Sequence, residues 1–162
     1  MALDKTAVLT WVRNNITSIT PDAPASAIST AYIDPDDYYM LDGVPKLPFH
    51  GIFYDVSGVT YRGVGVGNYQ ADWTLVIETY LHRGDLQRFS KHRAELQRVG
   101  REWANAVTNW LLSNRTLGGT TKMGIGDNDG LVTSYELVSL RPWDNIPVFG
   151  SLVIVPMITN TG

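Results

Sequence analysis

Cysteine is absent from the 162 residues, which excludes disulfides, a zinc–thiolate site and a thiol nucleophile. Charge is scarce too. Charged residues make up 18% of the chain, against a usual ~25%, and this favours a surface partly covered by partners. No apolar run approaches the ~20 residues of a bilayer-spanning helix. Met1 to Thr6 lacks the basic and apolar regions of a signal peptide, so no membrane association is expected. The Asn-X-Thr triplets at Asn15 and Asn114 then read as chance matches. Histidine is limited to His50, His82 and His92, scattered without metal-ligand spacing. The net charge of −3 argues against nucleic-acid binding by composition.

What is present suffices for a core. Hydrophobic residues make up 44%, and a chain of this length reads as a single domain, 1–162, able to bury ~68–70% of its unfolded surface. The charge is uneven. Six aspartates (Asp22, Asp34, Asp36, Asp37, Asp42, Asp55) stand against Lys46 between positions 22 and 55. Between 83 and 101, Arg83, Arg88, Lys91, Arg93, Arg98 and Arg101 stand against Asp85 and Glu95.

Periodicity orders the elements. Leu3, Val8, Trp11, Val12 and Ile16 keep helical spacing, predicting a helix from an Asp4 N-cap to about Asn15. A short strand is expected over 27–33. Residues 34–67, rich in Gly, Pro, Asp and Tyr, read as hairpin strands plus an extended loop or arm ordered by neighbouring subunits. From Gln70 to His82, Ala71, Trp73, Leu75, Ile77 and Leu81 alternate with Asp72, Thr74, Glu78, Tyr80 and His82, the pattern of a sheet covered on one side. A long amphipathic helix follows from about Leu86 to Asn114, with Phe89, Leu96, Val99, Trp103, Val107, Trp110 and Leu111 on one face. Gly100 inside it lowers helix propensity and permits a bend or a close approach to the sheet. Leu117-Gly-Gly119 supplies a stop suited to positive φ. Two closing strands are expected over 131–140 and 151–157, the second with a run, Leu152 to Val155, suited to burial on both faces. The fold class is α+β: a mainly antiparallel sheet packed on one face by a short N-terminal helix and one long helix.

The candidate chemical motifs each fail a test. Gly63-Val-Gly65-Val-Gly67 lacks the third glycine and the following helix of a dinucleotide loop. Counted as a calcium loop, 125–136 places Asp127, Asp129, Gly130 and Glu136 correctly but has Ile125 where the first aspartate belongs. An Asx-rich turn fits better. No Gly-X-Ser-X-Gly elbow occurs, and Arg83-Gly84-Asp85 reads as a strand-to-helix turn. No catalytic residue, cofactor or metal ligand is assigned, and an enzyme is not expected; a small metal-dependent hydrolase built on Asp127 to Glu136 or on His82 and His92 is the weakest alternative. On the long helix, Glu95 and Glu102 lie at pairing distance from Arg98 along the sequence, which suits intrahelical ion pairs better than a DNA surface. The basic face, Arg88, Lys91 and Arg98, and the acidic segment, Asp34, Asp36 and Asp37, are instead candidates for a contact between subunits. Unlike patches that match head to tail close into rings when the rotation allows.

The order of elements resembles that of the tail terminator proteins of long-tailed bacteriophages. The likeness lies in the short first helix, the loop-rich section, the Trp-led strand Asp72 to Glu78 and the long helix rich in Trp, Leu and Ala at its end. Arg115 to Gly119 and the two closing strands complete it. The resemblance implies a structural virion protein, assembled in the host cytoplasm and sited in the tail or neck. It implies a hexameric ring that caps the tail tube and ends its polymerisation. The implied partners are further copies of the chain, the tail tube protein, the head-tail connector or stopper protein and, in a contractile tail, the sheath protein. Genome DNA would pass through the lumen without sequence-specific binding. A head-side stopper or adaptor protein is the alternative position for the same layout.

Overall fold

A computed structural model describes residues 5–33, 45–54, 60–65, 68–85, 90–120, 122–123, 132–143 and 145–160. In chain order these form α1 (Lys5–Ile16), β1 (Ala31–Ile33), β2 (Phe49–Tyr54), β3 (Thr60–Gly65), β4 (Asn68–Arg83), α2 (Ser90–Ser113), β5 (Lys122–Met123), β6 (Thr133–Trp143) and β7 (Ile146–Asn160). The fold is α+β, with a seven-stranded sheet in which β1 and β2 pair parallel and the other pairs are antiparallel.

The two longest strands form the spine. β4 and β7 pair from Gln70↔Asn160 to Arg83↔Val148, with a bulge between Tyr80 and His82. Beyond β4 lie β2 and then, further along, β3; beyond β7 lie β6 and then β5. The lateral order therefore begins at β1 and ends at β6 and β5 on the opposite edge. Pro156 occupies the place on β7 where β6 pairing has ended at Ile154 and β5 pairing begins at Met157. A residue without an N–H is tolerated in an inner strand only at such a gap.

Strand alternation decides what the helices cover. Ala71, Trp73, Leu75 and Ile77 of β4 and Val153, Val155 and Met157 of β7 are buried in one cluster with Val8, Val12 and Ile16 of α1 and Trp103, Val107 and Leu111 of α2. Each such aliphatic side chain contributes about 1.5–3 kcal/mol when fully buried. α1 packs on β1 and β2, while α2 packs on β6 and β7. The two helices meet where Trp11 stacks on Trp110, with ring centroids 5.6 Å apart. The turn after α2 puts Leu117, Gly118 and Gly119 at φ of 46°, 67° and 84°. Leu117 is fully buried despite its left-handed backbone, and Gly118 lies flush against the Trp11 indole, where a Cβ would come 2.7 Å from two ring carbons. The Leu-Gly-Gly stop predicted from the sequence is thus both a helix end and a packing contact.

The structure corrects four expectations. The second face of β4 is not simply solvated, because Val76, Glu78 and Tyr80 are also buried. Phe49, Tyr80, Leu140, Trp143 and Val148 form a smaller core there. Phe49 stacks on Tyr80 at 4.5 Å, and Trp143 meets both rings edge-on. Bulky aromatics at the ends of β2, β4 and β6 supply this cover, which no period-2 pattern within one strand can show. Second, of the hairpin strands expected within 34–67, β3 does form a hairpin with β4, but Phe49–Tyr54 is a strand inside the sheet, between β1 and β4. Third, β7 is inner, but only its start is covered on both faces: Val148 is buried in the smaller core, whereas Leu152, Ile154, Pro156 and Ile158 on that same face are half-buried. The first strand is also shorter than 27–33, although Ile28, outside it, is buried in the core.

Candidate functional site

The face that carries assembly candidates is built by α2 and the edge strand β6. At one-turn spacing along α2, Arg93, Gln97 and Arg101 line the side of the helix next to β6. Arg101 donates from Nε to Glu136 Oε1 at 2.8 Å and from Nη2 to Oε2 at 3.4 Å, and Gln97 donates to the same Oε2 at 3.4 Å. The hydrogen bond from Arg101 is the main reason the Glu136 carboxyl lies below its usual range, and it raises the Arg101 guanidinium in turn. Arg93, Gln97, Tyr135, Glu136, Leu137 and Val138 are among the residues lining a groove of about 330 Å³. Arg93 has no carboxylate partner among the described residues. The groove exists because α2 comes very close at Gly100, whose Cα faces the Glu136 carbonyl, and because β6 slips its register between Tyr135 and Val138. Bulges of this kind re-aim side chains at sheet edges.

Of the predicted interface residues, the structure places Arg98 on the exposed face of α2. The expected ion pairs of Arg98 with Glu95 and Glu102 are not formed; the cross-element pair Arg101–Glu136 is formed instead. Lys91 lies in α2, and its side chain is outside the described residues, as are Arg88, Asp34, Asp36 and Asp37. The calcium-like loop falls mostly outside them as well, but its last position, Glu136, sits on β6 and is taken up by Arg101. Gly63 and Gly65 lie in the β3 strand rather than at a helix N-terminus.

A second surface is the β3–β4 hairpin. All six β3 residues are exposed, and Tyr61, Val64 and Tyr69 are 52%, 58% and 48% exposed. Arg62 pairs with Asp72 across the two strands at 2.7 Å, and Gln70 donates to the same carboxylate at 3.2 Å. Two strands alone are marginal in water, so this hairpin depends on the β7 end beside it. No protein-family model and no curated protein matches the chain. No helix of the described residues is long and apolar enough to cross a membrane.

One polar constellation was invisible in the sequence. His50, Thr79 and Ser151 are register partners on β2, β4 and β7, all of them buried. His50 Nδ1 and Thr79 Oγ1 are 3.0 Å apart, and the Trp103 ring of α2 meets the imidazole edge-on at 5.0 Å. A hydroxyl within hydrogen-bond reach of an imidazole has the geometry of a nucleophile and base. Here, however, both groups are sealed in the core, where no substrate can approach them. Burial lowers His50 to about 3, so it is neutral. His82 is lowered first by burial and then by the charge of His92, which brings these two histidines into electrostatic range. Among the described residues no group of three or more His, Asp or Glu is placed to hold a metal ion.

Proposed function

We propose that this chain is a ring-forming virion subunit of the bacteriophage tail terminator type, which caps the tail tube, stops its growth and presents a surface to the head connector. The observation that carries the reading is the β3–β4 hairpin, whose β3 residues are all exposed and whose aromatic side chains stand about half exposed on the described chain. Exposed apolar clusters of this kind mark surfaces for other proteins. The half-buried apolar row Leu152, Ile154, Pro156 and Ile158 on the second face of β7 adds to it. The arrangement of one short and one long helix on a mainly antiparallel sheet agrees with the layout from which the resemblance was drawn.

On this reading mechanism is binding geometry. One face of the ring copies enough of the tube interface to bind the last tube ring, the other face does not, and addition of subunits ends. The partners are the chain itself, the tube protein and the head connector, with the neck of the virion as its place. Electron microscopy of the purified protein mixed with tail tubes tests this. Rings, free or seated on tube ends, are expected. A strict monomer that never binds a tube would refute the reading.

A further inference from the structure

The α2–β6 groove is half-filled in a specific way. Arg93, Gln97 and Arg101 form a row of donors at one-turn intervals, and the single carboxylate of Glu136 satisfies the last two. Arg93, one turn back, is exposed and lacks an acid among the described residues. Tyr135, 45% exposed, also lines the groove. A chain laid along this groove could continue the ladder by placing a carboxylate beside Arg93 and a ring or aliphatic group against Tyr135.

The chain itself contains a segment of matching chemistry. Asp34, Asp36, Asp37 and Asp42 fall within nine residues that also hold Tyr38 and Tyr39 and contain no Lys or Arg. The described residues that flank it are Ile33, the last of β1, and Pro45, four positions ahead of β2. That edge of the sheet is opposite to β6. Crossing from β1 to β6 traverses four strand spacings, about 19 Å. An eleven-residue excursion that must also return reaches about 20 Å when fully extended. That leaves no length to lie along the groove, and α1 stands in the way on the helix-covered face, packed on β1 and β2. A second copy has no such constraint. Because β1, which leads into the donor segment, and β6, which walls the groove, lie at opposite edges of the sheet, the contact is between unlike patches, head to tail, the kind that closes into a ring or extends into a filament.

We infer that the groove between α2 and β6 receives the acidic segment Asp34–Asp42 of a second copy of this chain, with Arg93 as the residue that reads its carboxylates. The inference rests on the ring reading above and names the contact that would build the ring.

Arg93→Glu and, separately, the double substitution Asp36→Lys with Asp37→Lys each reverse one side of the contact. Native mass spectrometry and sedimentation velocity at low and high salt read the assembly, and circular dichroism verifies that each variant is folded. Gln97→Glu, which sets a second carboxylate beside Glu136, is the alternative groove variant should Arg93→Glu not fold. Each reversal is expected to weaken self-association about tenfold, since a charge opposed across an interface works against both encounter and register. Mixing the two variants is expected to restore assembly, because each supplies what the other lacks. Wild-type rings with unchanged assembly in both variants would overturn the groove contact and leave the ring reading standing. Weakening by the groove variant without rescue in the mixture would overturn the choice of segment. A wild-type chain that stays monomeric at every concentration would overturn both.

Discussion

Lowering the pH from 7 to 5 is expected to cost this protein stability through His50 in particular. The imidazole is fully buried between Thr79 and Trp103, with Nδ1 held by the Thr79 hydroxyl and, among the described residues, no hydrogen-bond partner at Nε2. Burial lowers its pKa from 6.5 to about 3. The unfolded chain takes up a proton on this residue below pH 6.5 while the folded chain does not. The contribution of His50 is therefore fully present above pH 6.5 and is lost as the pH falls toward 3. At pH 5 the linkage amounts to about 2 kcal/mol, or a Tm lower by about 4–8 °C for a chain of this size. His82, also lowered, acts in the same direction, so the informative quantity is a difference. Urea unfolding of wild type and His50→Gln at pH 7 and pH 5 should show the variant less stable at pH 7 but with about 2 kcal/mol less pH dependence. Equal pH dependence in the two proteins, or a His50 ring that titrates near its ordinary value by NMR, would refute the argument.

Two further substitutions test the packing. Gly100→Ala gains about 1 kcal/mol of helix propensity, but its methyl would collide with the Glu136 carbonyl, coming 2.9 Å from the carbonyl carbon. The clash outweighs the gain, and a net loss of about 1–2 kcal/mol is expected; a stabilised variant in chemical denaturation would show that α2 can back away from β6 freely. Ser151→Ala removes a buried hydroxyl that has no partner among the described residues, so stability should be unchanged or rise by about 1 kcal/mol; a loss larger than that would reveal a bound water at Oγ.

Much of the fold was legible in local pattern. The 3.6-residue spacing of Val8, Val12 and Ile16 and of Trp103, Val107 and Leu111, and the alternation of Trp73, Leu75 and Ile77, mark the surfaces that meet in the main core. The positive φ values at Leu117 to Gly119 fall where the Leu-Gly-Gly stop was expected. What stayed hidden depends on register. Phe49 and Trp143 lie far apart in sequence, and neither announces that it will cover Tyr80. His50, Thr79 and Ser151 become neighbours only because three strands pair at those positions. Glu136 looked like the last ligand of a calcium loop, whereas strand β6 brings it across to Arg101 on α2. Arg98 illustrates the converse: correct helical spacing to Glu95 and Glu102 did not produce a pair, as expected where an exposed ion pair contributes little.

Pro156 has a consequence for solubility. By separating the β6 and β5 ladders on β7, it leaves that side of the sheet as two offset margins, one of eleven residues and one of two, rather than one continuous flat rim. The longer margin is bent by its register slips and has α2 packed against it. Fibril growth requires an extended, regular template onto which identical strands can stack without end. This outline denies the template while leaving side-chain surfaces free for contacts of fixed stoichiometry. On this side of the sheet, copies can stand close together without meeting a continuous edge on which to stack.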